Sequence, residues 1–162
     1  MNPSPGAAEG ATPLEHVRVE MELRFPSDVR YIERVVKLVT RQCEELSYPP
    51  HHCSLNVPVA LTEALSNAIL RGNREDRSKE VSVRAEVNPA RLVLEVGDEG
   101  RGFDLEEAMR DPTLPENIDR EDGRGLFLMR SLMDRVERFD RNGAGVGGLG
   151  DGNVVRLTLN RS

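Results

Sequence analysis

Three short blocks in this sequence combine residue types that suit phosphate and metal chemistry. They read Glu-Ala-Leu-Ser-Asn at 63–67, Asp-Glu-Gly-Arg-Gly at 98–102 and Gly-Arg-Gly-Leu at 123–126. Each block is short enough to arise by chance, so its meaning depends on what the others add.

The first block offers an acid and an amide on one side of a helix. Glu63 and Asn67 are four residues apart, so their side chains project from the same helical face. An Asn side-chain carbonyl is a neutral, hard oxygen ligand that suits Mg²⁺. The Glu can orient or deprotonate an attacking hydroxyl group or water. The alternative for an isolated pair of this kind is an ordinary solvated helix face.

The second block places a carboxylate at the end of a strand. Asp98 accepts hydrogen bonds only, so it can take one from the exocyclic amine of adenine, whereas guanine has a carbonyl there. Gly100 and Gly102 permit a close backbone approach. A plain loop turn is the alternative, because the same residue types favour turns.

The third block opens a helix with glycine. The first N–H groups of a helix have no partner within it, and together with the helix dipole they favour anions such as polyphosphate. Gly123, Arg124 and Gly125 precede Leu126 at this point, and Arg124 either adds a charge-assisted bond or points to solvent. A flexible loop is the alternative. The three blocks in this order predict a site for a magnesium nucleotide.

The elements that must position these blocks follow from hydrophobic spacing. Alternation of apolar and polar residues predicts strands at 17–25, 81–87, 92–98, 136–139 and 155–159. Spacings of three and four predict helices at 29–46, at 55–70 and from the glycine pair to 133, the first capped by Ser27 or Asp28. This order predicts an α+β two-layer sandwich, with helices on one face of a mixed, mostly antiparallel sheet.

The remaining segments divide the chain into a tail and one domain. Residues 1–13 are rich in Pro, Gly and Ala and predict a disordered tail, which leaves 14–162 as the domain. The stretch 99–122 predicts either a functional lid or a disordered segment, with at most a short helix at 105–110, and 142–152 predicts a flexible loop. Cys43 is expected on a helix face and His51 and His52 in a loop, with spacing that matches no common zinc site.

Composition narrows the function classes. The 162 residues contain no Trp and only 4% aromatic residues, so the core must be aliphatic. The net charge of −6 argues against direct nucleic-acid binding or an anionic membrane surface. No apolar run approaches the roughly 20 residues that span a bilayer, and the N-terminus does not resemble a signal peptide. A cytoplasmic protein is therefore expected.

The same blocks resemble the nucleotide-binding motifs of a known superfamily. Residues 61–69 resemble the N-box of the GHKL ATPases, residues 98–103 the adenine-binding G1 box, and residues 123–129 the G2 box. Within that superfamily the chain is most similar to bacterial anti-sigma-factor serine kinases of the partner-switching type. Phe25-Pro26-Ser27 before the first helix and the run 125–133 support this, and the resemblance extends over residues 17–159.

The resemblance implies a Bergerat-type fold that binds ATP and Mg²⁺. It implies phosphorylation of a serine on a STAS-domain anti-anti-sigma partner, and a sigma factor held inactive. Glu63 would be the catalytic base, Asn67 the Mg²⁺ ligand and Asp98 the adenine-binding residue. The remaining nucleotide contacts would come from Gly100, Gly102, Gly123, Arg124, Gly125 and Leu126, under a lid at 111–122.

Two questions stay open at this point. A nucleotide-gated switch that sequesters or activates a partner with little catalysis would need the same residues, and a homodimer is compatible with the sequence. Asn153 stands where relatives commonly have Thr, so a polar contact on the adenine side is a further expectation.

Overall fold

The structure is a computed structural model that describes residues 15–100, 121–140 and 152–162, without the side chains of 121–123 and 140. The expected N-terminal tail, Gly102, the short helix at 105–110, the lid at 111–122 except for its last two residues, and the glycine-rich loop up to 151 lie outside that description.

Five strands and three helices make up the described part of the chain. The strands are β1 (Val19–Pro26), β2 (Glu80–Val87), β3 (Arg91–Asp98), β4 (Arg135–Asp140) and β5 (Asn153–Asn160). The helices are α1 (Ile32–Glu45), α2 (Val57–Asn67) and α3 (Glu121–Leu132). A 3₁₀ turn (Val29–Tyr31) precedes α1, and π-helical turns extend α2 at its start (His52–Asn56) and at its end (Ala68–Gly72). The predicted order of elements is confirmed.

The strands form one sheet in the order β1-β2-β3-β5-β4. Every pairing between these strands is antiparallel, so the expected parallel component of a mixed sheet is absent from the described residues. Across the β3–β5 pair, Asp98 lies directly opposite Asn153. This register places the predicted adenine-binding carboxylate at the end of the central strand, beside the first residue of β5.

The helices cover one face of the sheet, as the alternation of apolar residues requires. α2 is the central helix and contacts α1 on one side and α3 on the other. The largest fully buried side chains are mostly aliphatic and come from both layers: Leu61, Leu65, Ile69, Leu92, Leu94, Leu126, Met129 and Leu157. Each such side chain contributes about 1.5–3 kcal/mol of burial free energy. The α+β two-layer sandwich with an aliphatic core is confirmed.

The central helical stretch His52–Gly72 corrects one expectation from the sequence. Its 21 residues are long and apolar enough to cross a membrane by length and composition alone, although no such run was expected. In this fold the stretch is a core helix, because Leu61, Leu65 and Ile69 are fully buried between the sheet and the neighbouring helices. Its apolar character is therefore explained by packing.

The segment around the two cysteines corrects a second expectation, the loop at His51 and His52. His52 lies in the first π-helical turn and is buried, so the expected loop at His51 and His52 is wrong. Cys43 is buried on α1, as expected, and burial raises the pKa of its thiol to about 12. Among the described residues, no three His, Cys, Asp or Glu side chains form a group that could hold a metal ion.

Candidate nucleotide-binding site

The first and third blocks meet at the C-terminal half of α2. A methyl group placed on Gly125 would lie 2.6 Å from Glu63 Oε2 and 3.7 Å from Asn67 Nδ2. A contact below 3.0 Å requires movement, so a larger residue at position 125 would displace the end of the Glu63 side chain from its position beside α3. The structure therefore brings together Glu63, Asn67 and Gly125, which the sequence separates by about 60 positions.

The Asn67 amide suits a hard cation. Its Nδ2 is buried and has no hydrogen-bond partner among the described residues. No described hydrogen bond fixes the amide in one orientation. Rotating it by half a turn therefore presents the carbonyl oxygen without breaking a described hydrogen bond. A carbonyl oxygen beside the Glu63 carboxylate is a donor set that fits Mg²⁺.

Helix α3 begins two residues earlier than the glycine pair suggests. It starts at Glu121, so Gly123 lies in the first turn, where backbone N–H groups have no partner within the helix. The Arg124 side chain is exposed. Because α3 starts at Glu121, the N–H groups of Gly125 and Leu126 lie beyond the unpaired ones of the helix start, and the Leu126 side chain is fully buried in the core. The predicted phosphate contacts of these two residues stay predictions.

The second block lies where the end of the α2 stretch meets the end of β3. A methyl group on Gly72 would lie 2.5 Å from Asp98 Cγ, and one on Gly100 would overlap the carbonyl of Gly72. Gly72 and Gly100 therefore allow the helix end to lie directly on the Asp98 carboxylate. At Gly100 the close approach is to the backbone of Gly72, a residue outside the three motif blocks.

Asp98 is held by neighbours on β5. The Asp98 Oδ1 atom accepts hydrogen bonds from the Gly100 N–H at 2.7 Å and from Asn153 Nδ2 at 3.1 Å. Asn153 Nδ2 also donates to the Gly100 carbonyl at 2.9 Å, and Asn153 Oδ1 accepts from the Arg138 guanidinium. Asn153 thus contacts the predicted adenine side. Arg138 was missed, although a charged residue two positions from the inward-facing Val136 is a usable signal.

A second buried amide ties the site to the sheet. Asn73 is 1% exposed, and its Oδ1 accepts the Glu99 N–H at 2.7 Å. Its Nδ2 donates to Ser27 Oγ at 2.8 Å and to the Glu80 carbonyl at 3.0 Å. The amide therefore joins the ends of β1 and β3 to the start of β2, next to Asp98. No local pattern indicates this role for Asn73, because its partners Ser27 and Glu99 come from distant segments.

The two clusters lie along one helical stretch. Nine residues separate Glu63 from Gly72, and a rise of 1.5 Å per residue puts them about 13 Å apart. One end carries an acid, an amide and a helix start. The other carries a buried carboxylate between two glycines. This arrangement suits an elongated ligand with a polar ring at one end and an anionic group at the other.

Comparison with known proteins identifies the family. The model of the histidine kinase-like ATPase domain matches residues 25–159, which is most of the chain. The chain belongs to this family. The kinase-like domain therefore binds ATP, and the fold described above is that of the GHKL ATPases, as the motifs predicted.

Named relatives lie within one group of the family. The kinase-like domain is 30% identical over 131 residues to the serine-protein kinase RsbW of Bacillus subtilis (strain 168), covering 78% of this chain and 81% of that protein. It is 31% identical over 121 residues to the RsbW of Bacillus licheniformis, covering 72% and 75%. The predicted resemblance to bacterial kinases of this type is confirmed.

A solved structure agrees on the fold. The RsbU and RsbW domains of a Mycobacterium tuberculosis protein superpose on the kinase-like domain with a TM-score of 0.59 at 15% identity. The match covers 89% of this chain and 33% of that one, so the kinase-like domain spans about a third of its length. At this identity the similarity concerns the fold alone.

Proposed function

We propose that this protein is an ATP-dependent serine protein kinase and anti-sigma factor that phosphorylates a STAS-domain anti-anti-sigma partner. The observation that carries the proposal is the contact between Gly125 and the Glu63–Asn67 pair, with Asp98 at the other end of the same helical stretch. The relatives named as serine-protein kinases support the reaction class. The partner and the sigma factor are inferred from the motif resemblance.

The nucleotide lies along α2 in this proposal. Asp98 accepts a hydrogen bond from the adenine amine, and Gly100 and Gly102 form the wall beside the base. The phosphates lie at the start of α3, where the backbone N–H of Gly123 has no partner within the helix, with Arg124 adding charge from its exposed side chain. Asn67 would hold Mg²⁺, which supplies charge neutralisation for the phosphates when it is bound.

Phosphoryl transfer then depends on Glu63. The serine Oγ of the partner attacks the γ-phosphorus, its proton passes to the Glu63 carboxylate, and the bond from the γ-phosphorus to the oxygen bridging it to the β-phosphate breaks. ADP leaves, and phosphoserine remains on the partner. Glu63 is only partly buried, so an incoming hydroxyl group can reach it.

A substitution of Glu63 tests this role. The full chain is incubated with Mg²⁺, γ-labelled ATP and a STAS-domain protein from the same genome, and labelled phosphoserine is measured. Glu63→Gln should lower the transfer rate about 10²- to 10⁴-fold, because a general base of this kind contributes that much. ATP affinity should change little, and Glu45→Gln on the exposed side of α1 should leave both quantities at the wild-type level.

The outcome separates the kinase from the alternative switch. If wild-type protein binds ATP but labels no serine, or if Glu63→Gln labels serine at the wild-type rate, the kinase proposal is wrong. A nucleotide-dependent complex with the partner in the absence of transfer would then favour the ATP-gated binding switch. The proposed place of action is the cytoplasm, where a sigma factor meets RNA polymerase. Direct contact with nucleic acid or membrane is not part of the proposal, and neither a monomer nor a homodimer is assumed.

A further inference from the structure

Arg138 is a buried cation next to the nucleotide-binding end of the molecule. It lies on β4, is 3% exposed, and donates to Asn153 Oδ1. Asn153 is 2% exposed and lies opposite Asp98 in the β3–β5 register. Burial of a guanidinium group costs free energy, which hydrogen bonds must offset. The hydrogen bond to Asn153 is one of these, and it connects Arg138 to Asp98.

The chemistry of the guanidinium group fixes the direction of each hydrogen bond from Arg138 through Asn153 to Asp98. Arg has five N–H donors and no acceptor, so Arg138 can bind only the oxygen of the Asn153 amide. The amide nitrogen is then turned toward Asp98 and the Gly100 carbonyl, and its two N–H groups donate to these two acceptors. With Arg138 absent, the amide could rotate by half a turn and place its oxygen against Asp98 Oδ1, acceptor to acceptor.

The Asn153 amide in this orientation fixes the Asp98 carboxylate. One Asn153 N–H group bonds Asp98 and the other bonds Gly100, so the amide closes the turn that begins at Asp98. Together with the Gly100 N–H, it places two donors on Oδ1 and sets the rotation of the carboxylate plane. That rotation decides where a hydrogen bond from a base amine can be accepted.

We propose that Arg138 and Asn153 are positioning residues for base recognition: Arg138 orients the Asn153 amide, which in turn orients the Asp98 carboxylate toward the amine of the base. The inference rests on the proposed role of Asp98 in binding adenine. It adds to the predicted adenine-binding role of Asp98 a role for Arg138, which belongs to none of the three motif blocks.

The test compares ATP with purine riboside triphosphate, which lacks the 6-amino group. Dissociation constants of both nucleotides with Mg²⁺ are measured by calorimetry for the full-length protein. The ratio of the two constants reports the bond between Asp98 and the amine. In Arg138→Met and in Asn153→Asp this ratio should fall about tenfold toward unity, because ATP binding weakens while analogue binding does not. A role confined to folding would weaken both nucleotides equally and leave the ratio unchanged.

Controls make the result decisive. Arg156→Met removes an Arg from β5 that faces the opposite side of the sheet, near Phe139 and Glu95, and should leave the ratio unchanged. If Arg138→Met does not fold, Asn153→Asp carries the test, because it is isosteric and keeps an acceptor for Arg138. The double variant should show little further loss, since both residues act through one amide.

Two results would overturn the inference. One contradicts the inference alone, and the other also contradicts the proposed role of Asp98. If wild-type protein prefers ATP over the analogue and both variants keep that preference, Arg138 and Asn153 do not position Asp98, and the nucleotide site itself stands. If wild-type protein shows no preference, the proposed role of Asp98 fails together with the inference.

Discussion

Gly125 is the residue at which the separate motifs become one site. Because it has no side chain, the start of α3 can lie against Glu63 and Asn67 with the Glu63 carboxylate undisturbed. The nearest obstacle to a methyl group is the far end of the Glu63 side chain, which can move. A larger residue would therefore displace the proposed catalytic base and leave the fold intact.

Gly125→Ala should accordingly separate activity from stability. Alanine favours a helix by up to about 1 kcal/mol over glycine, so the free energy of unfolding should stay unchanged or rise. Displacement of Glu63 should lower the rate of serine phosphorylation about 10- to 100-fold. Urea unfolding and a transfer assay measure the two effects, and Ser131→Ala on the exposed side of α3 is the control. Wild-type transfer by Gly125→Ala would contradict the geometry.

At the same scale, roles that depend on residue type and spacing could be predicted from the sequence, and roles that depend on tertiary contacts could not. Glu63, Asn67 and Asp98 could be proposed as site residues because their types and spacing suit metal and nucleotide chemistry and because three such blocks occur in one chain. Gly72 and Asn73 could not be, since their roles depend on which strand ends meet the end of α2. Contacts of this kind are set by the tertiary fold and cannot be predicted from local residue spacing.

At the scale of elements, the 3₁₀ turn that leads into α1 is held by a charged cap. The Asp28 carboxylate accepts the Arg30 N–H at 3.0 Å and lies 3.4 Å from the Arg77 guanidinium. Hydrogen bonds from the Arg30 side chain are the main reason that the pKa of Asp28 falls to about 2, from an ordinary 3.8. Because this pKa is lower in the folded state, the ionised carboxylate stabilises the fold above about pH 4. That contribution disappears as the pH falls toward 2.

Asp28→Asn should therefore destabilise the protein in a pH-dependent manner. The variant should unfold at lower urea concentration than wild type at pH 7, and the difference should shrink as the pH falls from about 4 to about 2. Arg30→Met, which removes the main cause of the shift, should show the same trend. A difference that is independent of pH would mean that the charge of Asp28 plays no part in the cap.

Helices and strands were predictable because their apolar spacing is strong, and their ends were less so. The helical stretch that contains α2 begins before residue 55. A π-helical turn (His52–Asn56) extends it at its start, and no hydrophobic periodicity indicates such a turn. α3 begins at Glu121, ahead of the glycine pair, because glycine is tolerated in the first turn of a helix held by its buried residues. Packing thus decided both boundaries.

At the scale of the whole molecule, the layer architecture followed from the order of elements, and the strand order did not. Alternating burial could show that β5 is half-buried, but not that it lies between β3 and β4. That insertion matters for function, because it places Asn153 beside Asp98 and brings Arg138 within reach. In the proposed site, the sheet therefore supplies the base end and the helices supply the phosphate end.

The central claim is that the two ends form a single nucleotide site along α2, and calorimetric titration of ATP in the presence of Mg²⁺ tests it most directly. We expect wild-type protein to bind one ATP per chain. Asp98→Asn should weaken binding at least about tenfold, because the amide that replaces one acceptor oxygen can oppose the adenine amine. Equal affinities of wild-type protein and Asp98→Asn, or no binding by either, would contradict the account.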